Sequence, residues 1–281
     1  MVSPILCLLV TGEDALKEFQ LFVRSLEVWH PDAQLYVYTD SATRVHSVKT
    51  KCALHIKNTM DAYKGCSRKM MEASPGKIYD SQFKDYTYEK ANAMAWAFAE
   101  EKDAGTNGVW FCDADITMLA PLPAIPEGAN LALSPHYIRE VDCGMFGKYN
   151  AGFLWIKETK LIDKWREAGH RSRFFEQAAL EDVAKEATLY EFPSEVNFGW
   201  WRMFQAPAAP VTIQAKFSIH RPDTSVGIRY DGKPLQSVHT HWHEKTSATG
   251  AFNVWFVSFA NRFKAHKPVQ QLLSSIEKSL K

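Results

Sequence analysis

The hydrophobic pattern changes twice within the first forty residues, and each change marks an element. Ile5–Val10 is a continuous apolar run, which is typical of a strand buried on both faces of a parallel sheet. Apolar side chains then recur at helical spacing from Leu16 to Leu26 and predict a helix that packs on this strand. Gln34–Tyr38 is rich in β-branched and aromatic residues and predicts a second strand. The sequence therefore begins with a predicted βαβ unit.

Each strand of this unit is followed by polar or small residues. Thr11 and Gly12 follow the first strand, and Thr39 and Asp40 follow the second. Ligands of α/β proteins bind outside the carboxyl ends of parallel strands. We therefore expect Thr11, Gly12 and Asp40 to lie side by side in a crevice and to border a nucleotide.

The pattern predicts further elements along the chain, except at 43–84, where it is too weak for an assignment. Together they predict one continuous α/β domain over 1–281, with a nucleotide-binding half at about 1–157 and a half at about 158–281 that completes the site and meets the acceptor. The predicted helices are Tyr86–Glu101, Leu161–His170 and Phe174–Ala187; the strands are Val109–Cys112, Leu131–Ser134, Gly152–Ile156, Val211–Gln214 and Leu235–Trp242; Ile138–Lys148 is predicted as a loop and Phe252–Phe263 as a helix or strand.

Composition and charge exclude several classes of partner. The 281 residues carry a formal net charge of +1, so a clustered basic excess for nucleic acid or an anionic membrane is not expected. Apolar residues make up 46% and charged residues 23%, which is ordinary for a folded protein. No apolar run approaches the ~18 residues of a membrane span. Five scattered cysteines without a CxxC motif favour a reducing compartment, and the expected location is the cytoplasm.

Asp113-Ala114-Asp115 places two carboxylates directly after the predicted buried strand Val109–Cys112. Carboxylate pairs at a strand end suit Mg²⁺ or Mn²⁺ held together with a substrate diphosphate. An Asp-x-Asp tripeptide alone is common on solvated turns, but its position after an apolar strand favours a metal site.

Three histidines, His239, His241 and His243, alternate along the predicted strand Leu235–Trp242 and just beyond it. Strand alternation would send all three imidazoles to one face. One of them could complete the metal site of the two aspartates. A Zn²⁺ metallohydrolase site built on the histidines is an alternative, although the aspartate of an HxHxD motif is missing.

These features together resemble the nucleotide-sugar glycosyltransferases of GT-A type, nearest to the glycogenin-like and related small glycosyltransferases. The resemblance rests on the βαβ start, the FxDxD-like strand end at Phe111, Asp113 and Asp115, the segment Asn150-Ala151-Gly152 ahead of an apolar strand, and a late strand-terminal histidine. It implies a Rossmann-like mixed sheet flanked by helices. It also implies transfer of a sugar, hexosyltransferase-like, from a nucleoside diphosphate sugar to a carbohydrate acceptor.

The resemblance also implies roles for individual residues. Asp113, Asp115 and a late histidine would bind Mn²⁺ (or Mg²⁺), with Asp113 either bridging to the metal or contacting the ribose. His239 has the family's six-residue spacing to a phosphate-contacting lysine, here Lys245. The Gly and Pro-Trp of that motif are absent, so His241 competes with His239 for the metal. The residues implied in donor-sugar binding are Asn150, Ala151, Gly152, Lys90 and the pair Glu176-Gln177, which resembles the family's Asp-Gln pair.

The leading hypothesis is a metal-dependent glycosyltransferase with a UDP-linked donor; a non-catalytic nucleotide-sugar binding protein and a metallohydrolase are the alternatives. A metal and a lysine would neutralise the charge that develops on the diphosphate leaving group. A catalytic base, needed if configuration inverts, is not distinguished among Glu176, Asp182 and Glu195. Trp200, Trp201 and Trp242 could form a sugar-stacking platform, although core packing is the more frequent role of tryptophan.

Overall fold

A computed structural model describes residues 3–220, 227–261, 271–274 and 276–277. Strand β1 (Ile5–Val10), helix α1 (Gly12–Leu26) and strand β2 (Gln34–Thr39) form the predicted βαβ unit, with β1 and β2 parallel. β3 (Ala53–Asn58) adds a parallel strand beyond β2. The prediction of an α/β chain with a parallel start is confirmed.

The next elements of the chain complete the central sheet and its helices. They are α2 (Arg68–Ala73), α3 (Gln82–Glu100), α4 (Ala104–Asn107), β4 (Val109–Cys112), β5 (Ile116–Met118), β6 (Leu131–Pro135), α5 (Glu140–Phe146), β7 (Tyr149–Ile156), α6 (Thr159–Gly169), α7 (Leu180–Lys185) and β8 (Leu189–Glu191), with short 3₁₀ helices at Val45–Ser47 and Asp61–Tyr63. The strand order of the central sheet is β3-β2-β1-β4-β7-β6-β8. β4 is parallel to β1, whereas β7 is antiparallel to both β4 and β6, so the sheet is mixed.

The C-terminal elements are β9 (Phe198–Gly199), α8 (Trp201–Phe204), α9 (Pro210–Ala215), β10 (Phe217–Ile219), β11 (Ile228–Tyr230), β12 (Lys233–Pro234), β13 (Ser237–His239) and α10 (Ser247–Ala260). Their strands form two small sheets, with strand orders β5-β13-β9 and β10-β11-β12. In the first of these sheets, β5 is the strand that follows β4 in the chain, and β13 ends at His239.

Alternate side chains of β1 enter two different core clusters. Ile5, Cys7 and Leu9 pack with residues of α3 and α6, whereas Leu6 and Leu8 pack with residues of α1. Helices therefore cover both faces of β1, as its unbroken apolar sequence predicts. A third cluster joins the small sheets to α10. Within the described part of the chain, no helix has both the length and the hydropathy that a membrane crossing requires.

Four local predictions were wrong or too long. Residues 140–146 are helical rather than a loop; Val141 and Met145 are exposed on this helix, so no apolar stripe marks it in the sequence. Residues 210–215 form a helix rather than a strand, because Pro210 occupies its first turn, where proline is favoured.

The other two elements are shorter than predicted. The helix predicted at 174–187 is confined to α7, and the strand predicted at 235–242 is confined to β13. The element predicted at 252–263 is the helix α10, although residues 262–263 lie outside the described residues.

Candidate active site

A cavity of about 780 Å³ lies beyond the carboxyl ends of β1 and β4. Pockets for small ligands commonly occupy 300 to 1,000 Å³. The side chains that line it come from both halves of the chain and include Glu18, Lys90, Asp113, Asp115, Asn150, Gly152, Glu176, Gln177, His239, His241 and His243. Most of the predicted site residues therefore share one cavity.

Asp113 and Asp115 lie in the short connection between β4 of the central sheet and β5 of the small sheet β5-β13-β9. The amide of Asp113 donates to Gly152 O (2.7 Å), which continues the pairing of β4 with β7. β5 begins at Ile116 and pairs with β13, where Ile116 lies opposite His239. The antiparallel register thereby brings a histidine from 126 positions further along the chain beside the aspartates, since 239 − 113 = 126.

Asp113, Asp115 and His239 form a compact group of ligand atoms. His239 Nε2 lies 3.1 Å from Asp115 Oδ1 and 3.8 Å from Asp113 Oδ2. One ligand atom from each of the three residues lies within 4.8 Å of the others. Two carboxylates and an imidazole form a donor set that suits Mn²⁺ and accommodates Mg²⁺. The group therefore fits the divalent metal that the resemblance implies.

Asn197 fixes the orientation of the His239 ring. His239 Nδ1 donates to Asn197 Oδ1 (2.9 Å), which leaves Nε2 facing the aspartates. Asn197 Nδ2 in turn donates to Asn150 Oδ1 and to Ser134 Oγ, both at 3.0 Å. A hydrogen bond from the ring nitrogen that faces away from the metal sets the tautomer of a metal-binding histidine. The sequence gives no local signal for Asn197 beyond its place just before β9.

His241 and His243 line the same cavity but differ from His239 in their surroundings. His241 Nδ1 lies 3.3 Å from Asp115 Oδ2, and its side chain is 65% exposed, against 7% for His239. β13 ends at His239, so strand alternation no longer governs the later two histidines. Burial and contact with both aspartates favour His239 over His241 as the metal ligand.

The charges of Asp115 and His239 shift each other's pKa. Burial alone would raise the pKa of Asp115, but the neighbouring His239 and His241 hold it well below its usual range. Burial alone would lower the pKa of His239, but the carboxylates of Asp115 and Asp113 raise it above its ordinary value. These surroundings therefore favour a negatively charged Asp115 beside a positively charged partner.

Lys90 is the buried cation on the other side of Asp113. Its Nζ lies 3.2 Å from Asp113 Oδ1 and 2.9 Å from Glu176 Oε1, and it donates to Ala151 O (3.3 Å). Burial lowers the pKa of Lys90, but the two carboxylates outweigh burial and raise it above its ordinary value. Lys90 is therefore an ammonium group that joins α3, β4 and the loop that carries Glu176.

Glu176 and Gln177 lie in an irregular segment ahead of α7. Trp165 Nε1 donates to Glu176 O (2.7 Å), and Gln177 Nε2 donates to Phe146 O (2.8 Å). The preceding Phe175 has a φ of +39°, a conformation that side chains rarely adopt and that clusters at functional sites. This backbone turns Glu176 inward, whereas Asp182 pairs with Lys185 and Glu195 lies beside Lys233.

Gly152 is required by the close approach of β7 to the aspartates. A Cβ at this position would overlap Asp113 Oδ2 and lie 2.6 Å from His239 Cε1. Asn150 Oδ1 accepts from the Gly152 amide (3.0 Å), and Ala151 O accepts from Lys90. The Asn150-Ala151-Gly152 segment thus forms one wall of the cavity.

Thr11, Gly12 and Asp40 lie together, but not in the lining of this cavity. The Gly12 amide donates to Asp40 Oδ2 (3.2 Å) and to Thr43 Oγ1 (2.7 Å). Asp40 Oδ1 accepts from the amides of Ala42 and Thr43, and burial is outweighed by these hydrogen bonds, so the pKa of Asp40 is lowered. Asp40 therefore holds the loops after β1 and β2 together.

Two further expectations find no support in the cavity lining. Lys245 is exposed and lies outside the lining. The aromatic side chains that do line the cavity are Phe83, Tyr86, Phe174 and Phe175, rather than the tryptophans. Trp201 packs its ring edge-on against His239 with the centroids 5.1 Å apart, and Trp242 is fully buried.

Comparisons with known proteins place this fold. No protein-family model and no curated protein matches the chain. Solved structures do: mouse xyloside xylosyltransferase 1, apo form, superposes with a TM-score of 0.50 at 12% identity, covering 85% of this chain and 98% of that one. The apo-form glycosyltransferase GlyE of Streptococcus pneumoniae superposes with a TM-score of 0.52 at 15% identity, covering 99% of this chain and 64% of that one.

The WbbM bifunctional glycosyltransferase, apo structure, superposes with a TM-score of 0.50 at 9% identity, covering 84% of this chain and 45% of that one. The chain thus spans less than two thirds of GlyE and of WbbM. The chain has the GT-A glycosyltransferase fold, as the resemblance implied.

Proposed function

We propose that this protein is a metal-dependent glycosyltransferase that moves a sugar from a nucleoside diphosphate sugar, UDP-linked, to a hydroxyl of a carbohydrate acceptor. One observation carries the proposal: the Asp113, Asp115 and His239 ligand group lies in the same cavity as the buried Lys90–Glu176 pair. The proposal is supported by solved structures that share this fold, which include the glycosyltransferase GlyE and a xylosyltransferase. Hexosyl transfer is part of the proposal.

Asp113, Asp115 and His239 would hold Mn²⁺ or Mg²⁺. The metal, when bound, supplies positive charge that neutralises the diphosphate leaving group. Asn197 keeps His239 Nε2 directed at the site, and Asp115 would bind the metal as a charged carboxylate. His241, 3.3 Å from Asp115, would contact the phosphates or the metal's outer ligands.

Lys90, Glu176 and Gln177 would orient the donor sugar. Lys90 holds the carboxylates of Asp113 and Glu176 in fixed positions, and only Glu176 among the three candidate carboxylates lines the cavity. Asn150 and Gly152, which lie on β7, would contact the sugar from that side of the cavity. Fixed polar groups of this kind favour the reaction because they need no reorganisation as charge develops.

The strand ends of β1 and β2 would border the nucleoside. Asp40 shapes this border by binding the Gly12 amide, and Thr11 Oγ1 lies 3.2 Å from Tyr86 Oη, a cavity residue. Lys245 follows Glu244, which lines the cavity, and would contact the phosphates. The half-exposed Phe83, Phe174 and Phe175 supply apolar surface for an acceptor sugar ring.

A nucleotide-sugar screen tests the proposal. Thermal unfolding is measured with UDP-, GDP-, ADP- and CDP-sugars, with and without Mn²⁺, and donor hydrolysis is then followed for every sugar that stabilises the protein. A ligand at 100 times its Kd stabilises by ~2.7 kcal/mol. Asp115→Asn removes a carboxylate charge at nearly constant volume and should abolish both the Mn²⁺ effect and turnover.

Each alternative gives its own result in this screen. Stabilisation without hydrolysis or transfer would identify a non-catalytic nucleotide-sugar binding protein. Zn²⁺ binding with no response to any nucleotide sugar would identify the metallohydrolase instead. An unchanged Mn²⁺ response in Asp115→Asn would contradict the metal assignment.

A further inference from the structure

Glu18 is a buried glutamate whose carboxyl group forms part of the cavity wall. It lies on α1, is 5% exposed, and lines the cavity beside Asp14, Ala15 and Lys17. Its Oε1 accepts a long hydrogen bond from the His243 amide (3.4 Å). Its Oε2 is buried and has no hydrogen-bond partner among the residues that the structure describes. Buried polar atoms are rarely left without a partner, so this oxygen points to a ligand.

Glu18 approaches the aspartates from the side opposite Lys90. α1 packs on the face of β1 that carries Leu6 and Leu8, and α3 packs on the other face. Lys90 on α3 contacts Asp113, whereas the carboxyl of Glu18 on α1 is close enough to Asp115 to be influenced by its charge. If the donor sugar lies against Lys90 and Glu176, the nucleoside is the part of the donor that is left to meet α1.

The chemistry of Glu18 suits a hydroxyl group better than a phosphate. Burial raises the pKa of Glu18 and so favours its neutral form. A neutral carboxyl both donates and accepts, as a ribose hydroxyl does. The metal that Asp113, Asp115 and His239 would hold neutralises the phosphates, so the carboxyl of Glu18 is left for an uncharged polar group of the donor.

We propose that Glu18 hydrogen-bonds a ribose hydroxyl of the donor nucleotide and so determines the preference for ribonucleotides over deoxyribonucleotides. The inference rests on the proposed function, because it requires a nucleotide in the cavity. It adds a specificity-determining residue on α1 that neither the Asp-x-Asp pattern nor the resemblance indicates.

Calorimetric binding of nucleoside diphosphates tests this inference. UDP, GDP, ADP and CDP are compared in the presence of Mn²⁺, and the tightest is compared with its 2′-deoxy and 3′-deoxy forms and with inorganic pyrophosphate. Glu18→Met keeps the size of the side chain and removes both hydrogen-bonding atoms. Glu18→Gln keeps a donor and an acceptor, and Glu13→Gln removes a charge from an exposed position of α1 outside the cavity lining.

The wild type should bind the ribonucleotide about tenfold more tightly than one of its deoxy forms, which corresponds to ~1.4 kcal/mol. Glu18→Met should reduce this ratio to about twofold and leave pyrophosphate binding unchanged. Glu18→Gln should retain most of the ratio, and Glu13→Gln all of it. Circular dichroism spectra that match the wild type establish that each variant is folded.

Two results would overturn the inference while the proposed function stands. One is nucleotide binding by the wild type with an unchanged deoxy ratio in Glu18→Met. The other is an equal loss of affinity for nucleotide and pyrophosphate, which would place Glu18 at the phosphates. Failure of the wild type to bind any of the four nucleotides would overturn the proposed function as well, and thus both proposals.

Discussion

The ammonium group of Lys90 lies 2.9 Å from the carboxylate of Glu176, inside the candidate active site. The same ammonium group lies 3.2 Å from Asp113. One buried cation therefore forms ion pairs with two carboxylates that come from different parts of the chain. Without the cation, the carboxylates of Asp113 and Glu176 would repel each other in a setting of low solvent access. The pair therefore links the stability of the cavity to its proposed chemistry.

Replacement of Lys90 by Met should lower both stability and donor turnover. Removing one partner of a buried ion pair costs ~3 to 5 kcal/mol, because the remaining charge is left uncompensated. The double variant Lys90→Met with Glu176→Gln should recover part of this loss in urea unfolding, since one of the two orphaned carboxylates is then neutral. Turnover should stay at least 100-fold down in both variants. A double variant no more stable than Lys90→Met would contradict the charge argument.

The histidines permit a test of which imidazole holds the metal. His239→Ala should lower Mn²⁺ affinity by at least tenfold, whereas His241→Ala and His243→Ala should have smaller effects, because only His239 is buried against both aspartates. Isothermal titration with Mn²⁺ measures the three variants against the wild type. Equal, modest losses at all three positions would indicate a diffuse electrostatic role and contradict a single-ligand assignment.

The same titration should depend on pH with a defined sign. Only the neutral imidazole can bind a metal, so protons compete with Mn²⁺. Asp115 and Asp113 raise the pKa of His239 above its ordinary value of ~6.5. As pH is lowered, Mn²⁺ affinity should therefore already begin to fall at a pH above ~6.5. His239→Ala should remove most of this dependence.

How far the sequence predicts the structure depends on how local each signal is. The apolar run of β1, its helix and the end of β4 are local patterns, and they fix the fold class and the position of Asp113 and Asp115. The role of Asp40 was not predictable in this way, because whether its carboxylate meets a nucleotide or the Gly12 amide is decided by the neighbouring loop. Asn197 and Glu18 were missed for the same reason: their partners are distant in sequence and give no pattern.

Gly152 tests how tightly β7 packs on the aspartates. A methyl group at this position would overlap Asp113 Oδ2, so Gly152→Ala should displace that carboxylate and lower Mn²⁺ affinity by about tenfold or more. Gly144→Ala is the matched control: it lies in α5 with open space around its Cβ position. The control should leave Mn²⁺ binding unchanged and raise stability by about 0.5 to 1 kcal/mol, as replacement of a helical glycine does. Unaltered Mn²⁺ binding in Gly152→Ala would show that the carboxylate does not need its present position.

Glu18 should make the stability of the protein decrease as pH rises from about 5 to 8. Its pKa is raised from 4.5 to about 8 by burial and by the charges of Asp115 and Asp14, so between these values the native state keeps a proton that the unfolded state has released. Stability falls with pH wherever the native state binds more protons, by ~1.4 kcal/mol for each pKa unit between the two states.

Urea unfolding of the wild type and Glu18→Gln between pH 5 and 9 measures the contribution of Glu18 to the pH dependence of stability. EDTA keeps Asp115 free of metal during the measurement. The difference between the two proteins removes contributions from His243, whose amide donates to Glu18 and whose imidazole pKa is lowered by burial. The wild type should lose stability relative to Glu18→Gln as pH rises, with most of the loss complete by pH 8. Glu13→Gln, exposed on the same helix, should follow the wild type. Parallel curves for the wild type and Glu18→Gln would mean that Glu18 is already ionised in the folded protein, and that it meets its ligand as an acceptor only.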